Sequence, residues 1–166
     1  MRGLLIVIEG APLTGKAAQA RLLQKHLSQS TRKCIIWQDP DYLAFSKLSR
    51  ARRLRALLDY GVSVIVTGYV YTKLAHAIAT CGVSSWLAAT ADRQLIPDLT
   101  VYLENQWMYS LYQLRFESAL GSMYNKGVGK WLKISELADD EAATLIERAV
   151  AQLETADLEE LDCVVR

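Results

Sequence analysis

The sequence predicts an α/β fold, a five-stranded parallel sheet with helices on both faces. Three observations predict it. Five short apolar runs, rich in β-branched residues and bounded by turn residues, alternate with helical stretches. The runs are continuously apolar, which suits strands buried on both faces. With 51% hydrophobic and 22% charged residues, a chain of 166 residues holds enough apolar surface for one domain core and too much for disorder.

The elements follow in order. Leu4–Ile8 is the first strand, closed by Glu9 and Gly10, and a helical pattern runs over Ala17–His26. Cys34–Trp37 is the second strand and Arg50–Asp59 the second helix. Ser63–Val66 and Leu99–Leu103 are the third and fourth strands, with helices expected over Thr72–Ala79 and Trp107–Ala119. Trp131–Ile134 is a weaker fifth strand. The last helix is expected over Asp140–Leu153, where Ala143, Ile146, Val150 and Leu153 share a face at spacings of three and four. Strand–helix alternation of this kind is that of a doubly wound sheet. No repeat or linker interrupts it, so one domain over 1–166 is expected, with an acidic helix and tail from about 136.

Charge is lopsided. From Glu136 to Arg166 ten acidic residues stand against two basic ones, a balance of −8, and the remaining residues balance at +9. The densest basic run is Lys47, Arg50, Arg52, Arg53 and Arg55. A basic body suits an anionic ligand, although a solvated helix face explains the arginines equally. No apolar run is long enough to span a bilayer, and the opening residues lack a signal-peptide pattern. Cys34, Cys81 and Cys163 are odd in number and far apart, in no ligand spacing. A reducing interior, cytoplasmic or organelle matrix, with no metal bound by cysteines and no membrane contact, is the expectation.

The sharpest local signal is Gly10-Ala11-Pro12-Leu13-Thr14-Gly15-Lys16, between the first strand and the first helix. This is G-x-x-x-x-G-K in the context that the motif requires. Glycines let the backbone fold tightly, so that N–H groups of Gly10, Thr14, Gly15, Lys16, Ala17 and Ala18 can converge on phosphate oxygens. The helix start adds its dipole, and Lys16 a mobile point charge. The residue after the lysine ordinarily carries a hydroxyl for Mg²⁺. Here Ala17 and Ala18 offer none, so the shape is kept and metal ligation is weakened.

Beyond the loop, the chain resembles the thymidylate kinases, nucleoside monophosphate kinases with the three-layer P-loop NTPase fold. Arg2 to Gly10 is similar to their R-G-x-F-I-x-F-E-G, and Gly15-Lys16-Ala17-Ala18-Gln19 to G-K-S-T-Q. Asp39-Pro40-Asp41 is similar to the F-P-E/D-R or R-E-P segment, Gly61 to Tyr69 to G-x-x-V-I-x-D-R-Y, and Ile96 to Leu103 to the P-D-L-T-x-x-L segment. Trp86 precedes Pro97 at a spacing found in some members. Arg115-Phe116-Glu117 resembles the R-Y-E of the lid. The resemblance implies a homodimer that moves the γ-phosphoryl of ATP to dTMP with Mg²⁺, with Lys16 and Arg115 as catalytic cations. It implies an acceptor site near Phe45, Arg50, Tyr69 and His76. Each of these has a plainer reading: Phe45 as a core aromatic, Arg50 and Arg115 as helix-surface cations, His76 as an ordinary helix histidine. Trp107, Tyr109, Tyr112 and Phe116 make an aromatic segment suited to packing or to base stacking.

Departures from the pattern share a direction. Pro12 stands for the loop aspartate, Ala17-Ala18 for Ser-Thr, Thr67-Gly68 for Asp-Arg, and Tyr42 for the arginine after F-P-E. Each removes a charge or an oxygen facing phosphate. One reading is therefore a kinase-derived protein with lost or weakened phosphoryl transfer, a weak or vestigial nucleotide binder or a subunit of a larger assembly, with no cofactor of its own. The alternative is an active thymidylate kinase using ATP and Mg²⁺. A nucleic-acid role ranks last, because no groove-reading or stacking motif accompanies the basic run.

Overall fold

Leu5 to Gly10 form the middle strand of the sheet, and the neighbouring strands pair with it in parallel register. A computed structural model of the chain describes residues 2–29, 33–37, 47–82, 95–105, 110–126, 129–135 and 138–164. The strands are β1 (Leu5–Gly10), β2 (Cys34–Trp37), β3 (Ser63–Thr67), β4 (Leu99–Leu103) and β5 (Trp131–Ile134), in the order β2-β3-β1-β4-β5. Leu5 lies opposite Val64 on β3, and Ile6 opposite Leu99 on β4. The helices among the described residues are α1 (Lys16–Gln29), α2 (Lys47–Asp59), α3 (Val70–Cys81), α4 (Leu111–Lys126) and α5 (Asp139–Val164). The α/β fold with a five-stranded parallel sheet is thus the one that the alternation predicts.

Alternation along β1 divides the core. Leu4, Ile6 and Ile8 face α1 and α5, where they meet Leu23, Leu27, Ile146 and Val150. Leu5 and Val7 face the other way, onto Leu54 and Leu58 of α2 and Tyr69. Tyr102, Phe116 and Leu120 form a third cluster between the sheet, α3 and α4. Both faces of β1 are therefore dry, which is why its sequence reads as unbroken apolar residues.

Most helices run longer than expected, among them α1 to Gln29, α2 from Lys47 and α4 to Lys126, and four ends have a visible physical reason or consequence. β1 runs on through Glu9 and Gly10, because its ladder to β4 continues to Leu103. α3 begins at Val70, two residues early. α4 begins at Leu111, where Ser110 Oγ accepts from Gln113 N at 3.2 Å and donates to Gln113 Oε1 at 3.3 Å. That is a Ser-x-x-Gln start signal which the aromatic run before it obscures. α5 continues eleven residues past Leu153 to Val164. Neither glycine nor proline interrupts that stretch, and its three Glu, two Leu and one Ala are good helix formers. Its buried stripe is Ala142, Ile146, Val150 and Leu153, with Ala142 in the place expected of Ala143.

The amino-terminal edge of the sheet is clamped by the residues that resemble the opening R-G and the P-D-L segment. Asp98 Oδ2 accepts from Leu5 N at 2.7 Å, Asp98 N donates to Leu5 O at 2.8 Å, and Arg2 pairs with the same carboxylate. Gly3 passes so close to Val62 that a Cβ there would overlap the Val62 carbonyl. Backbone on both sides leaves no side chain to move aside. Gly3→Ala is expected to lower unfolding stability by about 1–3 kcal/mol, the usual cost of forced overpacking, as read by urea denaturation with an unchanged m-value.

Candidate functional site

Where the middle strand ends, the chain turns through residues 11–15 into α1, so the loop stands at the carboxyl mouth of the sheet. Gly10 is obligatory here. A Cβ on it would lie 2.7 Å from Leu103 O and 2.8 Å from Thr14 Oγ1. Gly15 takes φ 79° and Leu13 takes φ 68°, the left-handed region that favours glycine. Thr14 Oγ1 donates to Ala11 O at 2.9 Å and closes the turn from within. Pro12 and Leu13 are exposed at its tip. The motif has the close-turned backbone that a phosphate cradle requires.

Beneath the loop lies Glu9, fully buried. Its carboxylate accepts from Tyr69 N at 3.2 Å, Tyr71 N at 3.2 Å and Thr72 N at 3.0 Å, at the start of α3. These are N–H groups that a helix leaves unpaired, and the positive dipole end faces the carboxylate. This bracing explains why α3 begins at Val70. Thr72 Oγ1 in turn accepts from Gly10 N at 3.3 Å, so β1, loop and α3 form one bonded unit. Burial nevertheless pushes the Glu9 carboxyl above its ordinary range, against the hydrogen bonds that pull it down.

Lys16 turns inward. Its ammonium donates to Gly10 O at 2.9 Å and to Ala11 O, and reaches Thr14 Oγ1 at 3.5 Å. Burial lowers its pKa, while the charges of Glu9 and Glu117 raise it. Glu117, from α4, is buried. It accepts from Tyr102 OH at 2.6 Å and from Asn105 N at 3.3 Å. Burial raises its pKa first, with Glu104 in the same sense and Lys16 opposing. Burial and the bond to Glu117 keep the Tyr102 phenol protonated far above the ordinary range.

On the flank of the loop, Gln19 Nε2 donates to Asp139 O at 2.8 Å and to its Oδ1 at 3.3 Å. A Cβ on Gly15 would lie 3.5 Å from that same Oδ1. The start of α5 therefore abuts the loop with a carboxylate.

The structure gathers Gly10, Thr14, Gly15, Lys16, Ala17 and Ala18 in the loop and the start of α1; of the other predicted residues it describes the side chains of Tyr69, His76 and Arg115. Tyr69 is buried among Leu54, Leu58 and Val66, and its hydroxyl reaches Leu95 O at 3.5 Å. His76 is exposed on α3 and shares a hydrogen bond of 2.8 Å with Tyr112 OH. Arg115 is exposed on α4, while its neighbours Phe116 and Glu117 are buried. Phe45, Asp39-Pro40-Asp41, Tyr42, Trp86, Trp107 and Tyr109 lie outside the described residues, and of Arg50 only its place in the first turn of α2 is described. Gly68, at φ 70°, bonds through its N–H to Ile8 O at 2.9 Å, and among the described residues only Thr72 side-chain atoms lie within 4 Å of a Cβ built there. Sequence reasoning missed Thr72, and it named Glu117 only within the lid resemblance, with no role for its carboxylate. An isolated carboxyl in an aromatic helix was the available signal for the second.

A phosphate loop at the end of the middle strand of a 2-3-1-4-5 parallel sheet defines the class: a P-loop kinase fold. The thymidylate kinase from Candida albicans superposes with a TM-score of 0.71 at 17% identity, covering 92% of this chain and 93% of that one. The thymidylate kinase from Ehrlichia chaffeensis gives 0.73 at 14% identity, covering 91% and 100%. A protein of Invertebrate iridescent virus 6, provisionally named a thymidylate kinase, is 28% identical over 131 residues. The match takes in 63% of this chain and 62% of the viral protein, less than two thirds of the relative's length. No family model matches the chain. The solved structures show that the fold is shared with thymidylate kinases, and the viral relative adds a likeness in sequence over part of each chain.

The loop's turned backbone is of the kind that suits a polyphosphate. Mg²⁺ does not fit the donor set: Ala17 has no oxygen, Thr67 stands in place of a carboxylate, and no group of three His, Cys, Asp or Glu side chains gathers among the described residues. No helix among them is long and apolar enough to cross a membrane.

Two predictions follow from this geometry. An arginine at 68 must adopt a left-handed backbone, so Gly68→Arg is expected to lower stability by about 1–2 kcal/mol, measured by thermal or urea unfolding. The second concerns pH. Unfolded carboxyls titrate near 4.5, and burial holds those of Glu9 and Glu117 higher in the fold. The folded state therefore keeps more protons above pH 4.5, and the stability that these groups contribute in acid is lost as pH rises through their folded values. Glu117→Gln is expected to gain stability relative to the parent as pH is raised from 4.5 to 7, in paired denaturation curves.

Proposed function

We propose that the protein is a thymidylate-kinase-like nucleotide binder in which phosphoryl transfer is lost or much weakened, acting through binding or as a subunit. The observation that carries this is Lys16, the loop's single cation, whose ammonium is engaged with the loop's own carbonyls. Phosphoryl transfer asks a protein for positioning and for charges that stabilise a spreading negative charge. An arginine of this kind is worth roughly 10³–10⁵ in rate, and Gly68 stands where the family motif has one. Ala17 and Thr67 remove the usual metal oxygens as well. Groups that act as a unit do not add simply when several are lost, so the shortfall is read as a loss of turnover and not as a sum. What remains fits an anion: tight backbone, helix start and lysine.

A thermal-shift series with ATP, dTMP and Mg²⁺, beside a coupled ADP-release assay, tests this. Ligand at a hundred times its Kd stabilises by about 2.7 kcal/mol. Expected are a modest rise in Tm at millimolar ATP that Lys16→Ala abolishes, and no dTMP-dependent ADP release. Lys16-dependent ADP release driven by dTMP overturns the proposal and establishes the active kinase. No shift with any nucleotide overturns the binding part and leaves a structural role.

A further inference from the structure

A buried amide ties the start of α5 to the flank of the loop. Gln19 lies in the first turn of α1 and is 2% exposed. Its Nε2 donates to Asp139 O at 2.8 Å and to Asp139 Oδ1 at 3.3 Å. Both acceptors belong to the first residue of α5, so one amide holds that residue's backbone and its carboxylate together. Gln19 Oε1 is left without a partner among the described residues, so the amide's bonding here is all directed at Asp139. The same Asp139 Oδ1 lies 3.5 Å from the Cβ position of Gly15, and beyond the chain neighbours of Gly15 no other described heavy atom lies within 4 Å of that position. Standard backbone geometry puts that position about 2.5 Å from the Gly15 nitrogen, so the carboxylate oxygen stands within about 6 Å of an N–H group of the cradle. Asp140 and Glu141 follow in the same turn, where the positive end of the helix dipole favours all three. Asp139 is the member that meets Gln19 and faces Gly15.

We infer that Asp139 is a specificity-determining residue: held by Gln19 against Gly15, its carboxylate disfavours a bare polyphosphate in the cradle. The inference rests on reading the loop as a polyphosphate site. A plainer role exists, that of an acidic residue answering the α5 dipole, and it concerns the fold alone. The two roles separate when the charge is removed. The fold then loses a favourable charge at a helix start, while the cradle loses a like charge at its flank. Stability and anion affinity therefore move in opposite directions. Asp139→Asn keeps an oxygen for Gln19 Nε2 and removes the charge. Asp140→Asn removes a charge from the same turn and leaves the Gln19 contact as it is.

The test uses the full chain as parent, Asp139→Asn and Asp140→Asn, with inorganic tripolyphosphate as the probe and calorimetry as the readout. At low salt, Asp139→Asn is expected to bind with a Kd lower than the parent's by a factor of about three to ten, the order of one largely screened like charge at close range. Asp140→Asn is expected to change the Kd by less than a factor of about two. The gain in Asp139→Asn is expected to shrink at about 0.5 M salt, where screening acts over a few ångströms. Both variants are expected to melt below the parent. Equal affinities of the parent and Asp139→Asn overturn the inference and leave the polyphosphate site standing. An equal gain in both variants overturns it as well, because the effect then belongs to total charge and not to the place of Asp139. Binding by Asp139→Asn alone supports it. Absence of binding in all three proteins overturns the polyphosphate reading and the inference with it.

Discussion

The Glu9 carboxylate holds the working end of this molecule together. It terminates the middle strand in complete burial, yet it takes three backbone N–H groups from the start of α3. An unpaired buried carboxylate is severely destabilising, whereas one that accepts several N–H bonds at a helix start is tolerated. Its position fixes α3 against β1, and through Thr72 it fixes Gly10 as well. The loop above is therefore a rigid extension of the sheet, and the lysine that follows inherits its place from that rigidity.

Residues that resemble the kinase pattern divide by the end of the sheet on which they lie. At the amino end, Arg2, Gly3 and Asp98 bind strands together: a carboxylate clamps Leu5, and a bare Cα lets Val62 approach. Their work is architectural, and any chain with this sheet has use for it. At the carboxyl end stand Pro12, Ala17, Thr67 and Gly68, where the pattern has ionic or hydroxyl groups. Their neighbours Glu9, Gly10 and Gly15 shape backbone, and they match it. A shared fold thus reports on the first end and the loop's outline, while chemistry depends on side chains at the second.

Legibility in the sequence follows the same physics. β2, β4 and β5 begin and end where the apolar runs do, because burial on the sheet is a local property of those residues. Helix ends were less legible. The start of α3 depends on a carboxylate on another element, and the end of α5 on the absence of a breaker, which no apolar pattern announces. The phosphate loop was readable because glycine spacing dictates its turn. Lys16's orientation was not, since it depends on oxygens of the turned loop, Gly10 O and Ala11 O, that become neighbours of the ammonium only once the turn is made. Arg115-Phe116-Glu117 read as a lid motif, yet Phe116 and Glu117 are buried and only Arg115 is exposed. A three-residue pattern does not state which of its members faces solvent.

Electrostatics set what such a loop is able to do. In water, charges a few ångströms apart interact by about 1 kcal/mol, and several-fold more strongly near a protein surface. The cradle gathers N–H dipoles, and its one lysine is engaged with the loop's own carbonyls. Asp139 at the loop's flank adds a negative charge. A nucleoside triphosphate carries its own high negative charge into that field, and two groups of the resembled pattern that would offset it are replaced: no hydroxyl follows Lys16, and glycine occupies position 68. Backbone N–H groups and the α1 dipole then carry most of the attraction. Those terms hold a phosphate in place, but they do not strengthen selectively as charge spreads in a transition state, which is the property that separates binding from catalysis.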